Sequence, residues 1–323
     1  MLEKISAGVF GTCVADALGV PVEFRSREQL KQIPVTFMRG YGTHDQPVGT
    51  WSDDSSMLLC LADSLGICGG LNGDDVMDRF CRWYDRGDYT PWGNCFDCGI
   101  SVGEALRRYK QGTPAFRCGG TDTYSNGNGS LMRILPMAYG LYSRYGADLM
   151  SWEKAVEQIH QASSLTHAHP ISLSACGIYV LTAAKLLDGM DLQEAIRTGI
   201  REGLAYYDAD PRFACHMEVW GRIREVDVLA DLPEEEIRSG GYVVQTLEAA
   251  LWCLLNTDNY RDAALMAVNL GGDTDTTAAV VGGLAGLAYG MAGIPRQWLE
   301  ELAAANVVED CCRSLCRWCE ASE

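Results

Sequence analysis

Residues 271–290 read GGDTDTTAAVVGGLAGLAYG, which is a pair of glycines and a cluster of aspartates and threonines followed by an apolar run. The apolar run, residues 278–293, is shorter than the roughly 20 residues of a transmembrane helix, so it predicts a buried core helix. It contains Gly282, Gly283, Gly286 and Gly290. Glycine inside a helix is unfavourable by about 1 kcal/mol relative to alanine. These glycines therefore indicate close helix crossings beside the aspartates.

Helical periodicity extends over the rest of the chain. Residues 57–65 and 243–254 carry apolar side chains at the i, i+3, i+4 spacing of one buried helix face. Alternating patterns typical of β-strands are nearly absent. We therefore predict an all-α protein with a single domain over residues 1–323, in which 224–240 is a surface excursion and 306–323 a cysteine-rich C-terminal helix. Further helices are predicted over 73–86, 100–110, 151–163, 170–188, 192–203, 259–269, 295–305 and 307–321.

The charge of the chain limits its partners. It has 43 acidic and 26 basic residues, which gives a formal net charge of −17. Such a surface repels phosphate backbones and anionic lipids, so we expect neither nucleic-acid binding nor membrane association. A small phosphorylated ligand can still bind through backbone N–H groups. Clustered carboxylates also suit a hard divalent cation.

The chain has fourteen cysteines, which we expect to be reduced thiols. The N-terminal stretch lacks a basic segment and contains Asp16 within its apolar run, which is not typical of a signal peptide. We therefore expect a cytoplasmic protein without a disulfide framework. Cys95 and Cys98 form a C-x-x-C pair without the βαβ context of a redox motif. The cysteines of the C-terminal helix are expected to pack as small apolar side chains.

Two acidic segments each precede an apolar helix. Residues 49–57 read GTWSDDSSM and residues 271–277 read GGDTDTT. Helix capping explains either segment alone, because Ser, Thr and Asp are preferred N-cap residues and acids suit the first turn. The adjacent charges of Asp53 and Asp54, however, cost free energy unless a cation offsets them. All candidate ligand atoms are oxygens, which favours Mg²⁺, Mn²⁺ or Ca²⁺ over zinc. Four aspartates balance two such ions, and a pair about 3.5–4 Å apart suits hydrolysis.

Five motifs resemble the ADP-ribosylglycohydrolases, especially bacterial enzymes related to the dinitrogenase-reductase-activating glycohydrolase. They occur in family order and lie at residues 15–24, 52–54, 127–133, 165–167 and 273–276. The resemblance implies a multi-helix orthogonal bundle with a central metal cleft, two Mg²⁺ or Mn²⁺ ions, and hydrolysis of the bond between ADP-ribose and an acceptor side chain. Many members carry Thr where this chain has Ser52, but serine keeps the hydroxyl oxygen.

The resemblance also implies site residues. The metal ligands would be Ser52, Asp53, Asp54, Asp273, Asp275 and Thr276. The catalytic residues would be Glu23, Asp54 and Asp97. The substrate contacts would be Asp97, Cys98, Gly99, Ser125, Gly127, Asn128, Gly129, His167 and Tyr242.

Several of these residues also have an ordinary structural explanation. Glu23 could be a surface carboxylate that caps a loop, Asn128-Gly129 a simple turn, and His167 a structural histidine. With the resemblance, we expect Glu23 to position or deprotonate the attacking water. The loop at 125–129 would cradle a pyrophosphate through backbone N–H groups, and His167 would bind a phosphate or ribose.

The sequence does not determine which group carries the ADP-ribose. An ADP-ribosylated protein, modified on arginine or serine, is the preferred partner. The alternatives are an ADP-ribose-containing small molecule or another nucleoside-like substrate, and a non-catalytic protein that binds ADP-ribose. We expect a monomer.

Overall fold

The structure is a computed structural model, and it describes residues 1–321. Within these residues the chain forms sixteen α-helices joined by loops and short 3₁₀ turns, and the only β pairing is three isolated bridges. The predicted all-α class is confirmed. The helices are α1 Leu2–Gly19, α2 Arg27–Gln32, α3 Asp53–Cys68, α4 Gly73–Arg86, α5 Ile100–Lys110, α6 Pro136–Tyr145, α7 Glu153–Ser164, α8 Pro170–Leu187, α9 Leu192–Ala209, α10 Gly221–Arg224, α11 Val226–Ala230, α12 Val243–Leu255, α13 Tyr260–Asn269, α14 Thr274–Tyr289, α15 Arg296–Glu301 and α16 Ala305–Glu320.

Helices α1 and α14 cross closely at the centre of the molecule. Gly282 lies against the carbonyl group of Gly11, and Gly286 lies against the backbone of Ala7 and Gly8. A side chain at either position of α14 would overlap backbone atoms of α1. The predicted glycine crossing is therefore confirmed at these positions. Gly290 is different, because it ends α14 with a φ of 70° and has open space around it.

Two helical segments are long and apolar enough to cross a membrane by composition alone. They are Leu2–Val22 and Pro170–Leu187, and 94% and 89% of their apolar windows are buried inside the protein. Core helices of soluble proteins pass the same test, so this is weak support for a membrane span. The run at 278–293, predicted to be a buried core helix, is not one of these two segments.

The last two helices differ from their predicted bounds. A helix was expected over 295–305, but α15 ends at Glu301 and the chain turns through Ala304, whose φ is 45°. Within this turn the N–H of Ala303 donates to the carbonyl of Gly49 at 3.0 Å. The predicted C-terminal helix is present as α16, and residues 322–323 lie outside the described residues. Its cysteines are buried free thiols, as predicted: Cys311, Cys312, Cys316 and Cys319.

The segment 224–240 is tied to the second acidic segment. The guanidinium group of Arg27 donates to the carbonyls of Glu234, Ile237 and Leu270. Leu270 directly precedes the Gly271-Gly272 turn. One arginine thus fixes the predicted excursion beside the start of α14.

We predict that Gly282→Ala destabilises the protein by about 3 kcal/mol, because the added methyl group overpacks the crossing with α1. Chemical denaturation of both proteins measures this difference. Gly103→Ala is the matched control, since Gly103 lies inside α5 with open space around it. There alanine should be neutral or stabilise by up to about 1 kcal/mol. Equal stability of the two variants would contradict the crossing.

Candidate active site

The two acidic segments meet where α3 and α14 begin. Ser52 is the N-cap of α3, with Asp53 and Asp54 in its first turn, while Asp273 precedes α14 and Asp275 lies in its first turn. The hydroxyl of Thr276 donates to Asp54 Oδ2 at 3.2 Å and so joins segments 222 residues apart. Helix N-termini carry a partial positive charge, which favours carboxylates at this place.

Asp16 of α1 belongs to the same cluster, although sequence analysis gave it no role. Its buried carboxylate accepts hydrogen bonds from the backbone and hydroxyl groups of both Ser52 and Ser55, at 2.5–3.1 Å. Burial raises the pKa of Asp16 to about 6, although the bonds from these serines act in the opposite direction. Asp16 therefore supports the turn that begins α3 from behind. An aspartate within an apolar helix was the available sequence signal.

The clustered carboxylates repel one another. Burial raises the pKa values of Asp53, Asp54, Asp273 and Asp275, and the charges of neighbouring acids raise them further. None of the lysines or arginines in residues 1–321 forms an ion pair with these aspartates. A buried carboxylate without a compensating partner is strongly unfavourable. Protons or cations must therefore offset the charge.

Orphaned oxygens support a cation at this place. Asp54 Oδ1, Asp273 Oδ1 and Asp275 Oδ2 are buried and have no hydrogen-bond donor in the described chain. The Ser52 hydroxyl lies 2.9 Å from both Asp16 and Asp54, yet it has one proton and can donate to only one of them. Oxygen donors of this kind fit Mg²⁺ or Mn²⁺.

Two groups of three acids have ligand atoms within 4.8 Å of one another. One group is Asp16, Asp54 and Asp275, and the other is Glu23, Asp273 and Asp275. Asp275 belongs to both groups, so the two sets of oxygens are contiguous.

A cavity of about 420 Å³ opens above the acidic cluster. Its floor contains Glu23, Asp53, Asp273 and Thr276. Ser52, Asp54 and Asp275 lie below this floor and do not line the cavity. The walls contain the predicted contacts Asp97, Gly99, Gly127, Asn128, Gly129 and His167. The cavity is also lined by seven residues that were not predicted from the sequence: Phe24, Ile100, Ser101, Val102, Tyr124, Met132 and Gly241.

Three predicted substrate contacts lie outside this lining. The thiol of Cys98 lies 3.7 Å from the carbonyl of Gly99, and the hydroxyl of Ser125 donates to Asp122 at 2.8 Å. Tyr242 precedes α12 and pairs with Gly127 through an isolated bridge. The first two thus make local contacts, and Tyr242 pairs with the loop at 125–129.

Glu23 lies at the edge of the acidic floor and is held by His44. His44 Nε2 contacts Glu23 Oε2 and lies 3.9 Å from Asp97 Oδ2. Burial raises the pKa of Glu23 to about 8, His44 opposes this shift, and the charges of Asp97 and Asp273 add to it. The bond to Glu23 in turn raises the pKa of His44. No functional role was predicted for His44, because its position in the long loop at 34–52 was the only sequence signal.

The backbone around Glu23 is unusual. Phe24 has a φ of 63° and Asp97 a φ of 54°. Residues other than glycine rarely adopt this left-handed region. The N–H of Phe24 donates to the carbonyl of Gly272 at 2.7 Å. Strained residues persist only where the surrounding structure fixes them, and they cluster at functional sites. The turn after Glu23 is thus fixed to the turn that precedes Asp273.

The loop at 125–129 supplies both a support and free donors. Asn128 Nδ2 donates to Asp273 Oδ2 at 2.8 Å and to the Thr246 hydroxyl at 3.0 Å, so its side chain orients an acid of the floor. The N–H groups of Gly127 and Gly129 form no hydrogen bond within residues 1–321. They line the cavity and are available to an anionic ligand.

We predict that the cation-free protein loses stability as the pH rises from about 5 to 8. The folded protein raises the pKa of Asp16 from 3.8 to about 6 and that of Glu23 from 4.5 to about 8. A raised pKa contributes stability that is present below the unfolded value and lost as the pH rises through the folded value.

Thermal unfolding in chelator across this pH range tests the prediction. Glu23→Gln should make the curve less steep above pH ~6, because it removes one of the carboxyl groups that lose their protons in that range. A melting temperature that stays constant or rises with pH would contradict the assignment.

Comparison with known proteins gives a family for the whole chain. The ADP-ribosylglycohydrolase family model matches residues 1–322. ADP-ribosylarginine hydrolase Tri1 of Pseudomonas putida is 31% identical over 314 residues, which cover 97% of this chain and 78% of that protein. The ADP-ribosyl-(dinitrogen reductase) glycohydrolase of Rhodospirillum rubrum is 30% identical over 313 residues, with coverage of 93% and 90%.

A solved structure shares the fold. It is described as an ADP-ribosylglycohydrolase-related protein complex and superposes with a TM-score of 0.78 at 30% identity, covering 98% of each chain. The resemblance carried by the five motifs is confirmed over nearly the full length. This chain belongs to the ADP-ribosylglycohydrolase family and is a glycosidic-bond hydrolase.

Proposed function

We propose that this enzyme removes ADP-ribose from modified arginine side chains, with two Mg²⁺ or Mn²⁺ ions held by the acidic cluster. The observation that carries the proposal is the cavity lining. It contains the carboxylates of Glu23, Asp53, Asp97 and Asp273 and, among the described residues, no lysine or arginine. An ADP-ribosylated guanidine group is cationic, and such a lining attracts it.

The relatives support the same acceptor. Two proteins named ADP-ribosylarginine hydrolase Tri1, from Pseudomonas putida and Serratia proteamaculans, are each 31% identical to this chain. ADP-ribosylhydrolase ARH3 of Danio rerio is more distant, at 24% identity over 354 residues. The greater similarity to the arginine hydrolases favours arginine over other acceptors.

The metal ligands would be Ser52, Asp53, Asp54, Asp273, Asp275 and Thr276, with Asp16 supporting Ser52 from behind. Bound ions of this kind orient hydroxyl groups and water and stabilise negative charge as it develops. The orphaned oxygens of Asp54, Asp273 and Asp275 support this assignment, because each buried oxygen lacks a donor.

Glu23 would take the proton of the attacking water. Its Oε2 atom is held by His44, and its carboxylate lines the cavity in which the water would bind. The water oxygen bonds to the anomeric carbon of the ribose while the bond from that carbon to the guanidine nitrogen breaks. The electron pair stays on this nitrogen, which regains a proton. The products are ADP-ribose and unmodified arginine.

A substrate panel tests the acceptor. We predict that ADP-ribosyl-arginine peptides are cleaved with kcat/KM at least about tenfold above ADP-ribosyl-serine peptides, since the lining matches the charge of guanidine. Chelator should abolish turnover, and added Mg²⁺ or Mn²⁺ should restore it. Product analysis on free ADP-ribose derivatives belongs in the same panel. A preference for serine or for a free derivative would overturn the arginine assignment.

Asp53→Asn tests the metal assignment with two readouts of opposite sign. Asp53 lies beside Asp54, and burial, followed by the charge of Asp54, raises its pKa. In chelator the variant should be more stable than the wild type, because one repelling charge is gone. With Mg²⁺ it should lose the cation-dependent rise in melting temperature, and kcat should fall about 10³-fold.

Asp231→Asn is the control for this variant. It removes one charge from an exposed position and should change neither readout. An Asp53→Asn protein with the wild-type rate at saturating Mg²⁺ would exclude Asp53 as a ligand.

A further inference from the structure

A chain of buried polar groups leads from Arg133 to the cavity wall. Arg133 is completely buried, and its guanidinium group lies over the ring of Phe80 at 4.9 Å. Its Nη2 atom donates to the carbonyl of Ala162 at 3.1 Å and to the hydroxyl of Thr166 at 2.8 Å. In residues 1–321 no carboxylate forms an ion pair with it, and its Nε and Nη1 atoms have no acceptor. Arg133 takes no part in the proposed hydrolysis.

The hydroxyl of Thr166 contacts both Arg133 and His167, so the hydrogen bond from Arg133 determines which way this hydroxyl donates. The guanidinium group can only donate, so the Thr166 hydroxyl accepts from it. The same hydroxyl lies 2.9 Å from His167 Nδ1 and has one proton of its own. Because that proton has no other acceptor within the described chain, it points to Nδ1, which must then carry no proton.

A neutral histidine whose Nδ1 accepts a hydrogen bond carries its proton on Nε2. His167 is neutral, since burial and the nearby charge of Arg133 lower its pKa to about 3. The hydrogen bond that Nδ1 accepts from Thr166 therefore keeps the proton of the ring on Nε2.

The Nε2 edge of His167 faces the cavity. A side chain at Gly127 would lie 3.5 Å from Nε2, and one at Gly129 would lie 2.9 Å from Cε1. Both glycines and His167 line the cavity. The two glycines thus leave the ring edge open, and Nε2 donates to no group within residues 1–321.

We propose that Arg133 and Thr166 are positioning residues that hold His167 in its Nε2–H form, so that the ring donates one hydrogen bond to an oxygen of the bound ADP-ribosyl group. The identity of the ligand rests on the proposed function, whereas the position of the proton does not. A neutral donor of this kind binds a phosphate or ribose oxygen without placing a cation beside the acidic floor.

Nitrogen-15 NMR of histidine-labelled enzyme tests the position of the proton directly. The chain has only five histidines, and the His167 signals are assigned by their loss in His167→Gln. We expect the proton on Nε2 in the wild type and in Thr166→Ser, which keeps the hydroxyl. Thr166→Val should shift the Nδ1 resonance, because that atom loses its hydrogen-bond donor. A proton on Nδ1 in the wild type, or a spectrum of Thr166→Val identical to the wild type, would overturn the proposal.

Calorimetric titration with ADP-ribose in Mg²⁺ tests the consequence. Thr166→Val should weaken ADP-ribose binding about tenfold, the effect of one well-formed hydrogen bond, and Thr166→Ser should stay within about twofold of the wild type. The KM for the ADP-ribosylated peptide should rise in parallel, with kcat within about threefold. Equal affinity of the valine variant and the wild type would refute the proposal.

Arg133→Met should give the same loss of affinity as Thr166→Val. Where the methionine variant fails to fold, the valine variant decides the matter, because valine matches threonine in shape. Failure of the proposed function would look different. An enzyme that cleaves no ADP-ribosyl-arginine would contradict that function and leave the proton on Nε2 and the ADP-ribose affinities as measured.

Discussion

Mutual repulsion of buried carboxylates is the constraint on which the site depends. Asp16, Asp53, Asp54 and Asp275 are buried and Asp273 is half-buried at one junction of three helices, and no basic side chain of the described residues pairs with them. Such an arrangement persists only if the backbone over-determines it. The N-termini of α3 and α14 provide a partial positive charge, and the serine and threonine hydroxyls provide donors. The rest of the compensation must come from protons or from cations.

The glycine crossing of α1 and α14 keeps these charges together. Gly282 packs directly against the backbone of α1, so the two helices are in backbone-to-backbone contact. At the end of the same contact, the hydroxyl of Thr274 donates to the carbonyl of Gly19 at 2.8 Å. Asp16 and Asp275 are therefore placed by two rigid helices rather than by loops. A site on rigid elements holds its geometry better than one on loops.

Local patterns explain what could be predicted from the sequence. The two acidic segments were recognisable because the residues that matter, such as Asp53 and Asp54, are neighbours in the chain. Helical periodicity predicted the all-α class for the same reason. The family resemblance then supplied roles for Glu23 and Asp97, which no local pattern would have singled out.

Residues that act through tertiary contacts could not be predicted in this way. His44 is an ordinary loop histidine until the fold places it against Glu23. Asn128 lines the cavity as expected of a substrate contact, but the bond from its amide to Asp273 could not be predicted. The break after Glu301 has no proline or glycine to mark it, and it follows from a backbone hydrogen bond to Gly49. In each case the deciding partner lies far away in sequence.

The floor and the walls of the cavity have a different electrostatic character, and this difference would let so acidic a protein hold the pyrophosphate of the proposed substrate. The floor consists of carboxylates that attract cations. Apart from Asp97, the walls offer neutral donors, namely the N–H groups of Gly127 and Gly129 and the ring of His167. Arg133 lies behind that wall, where its charge is shielded from solvent and cannot pair with the acids of the floor. A lysine or arginine exposed in the cavity would instead neutralise the floor and compete with any bound cation for its oxygens.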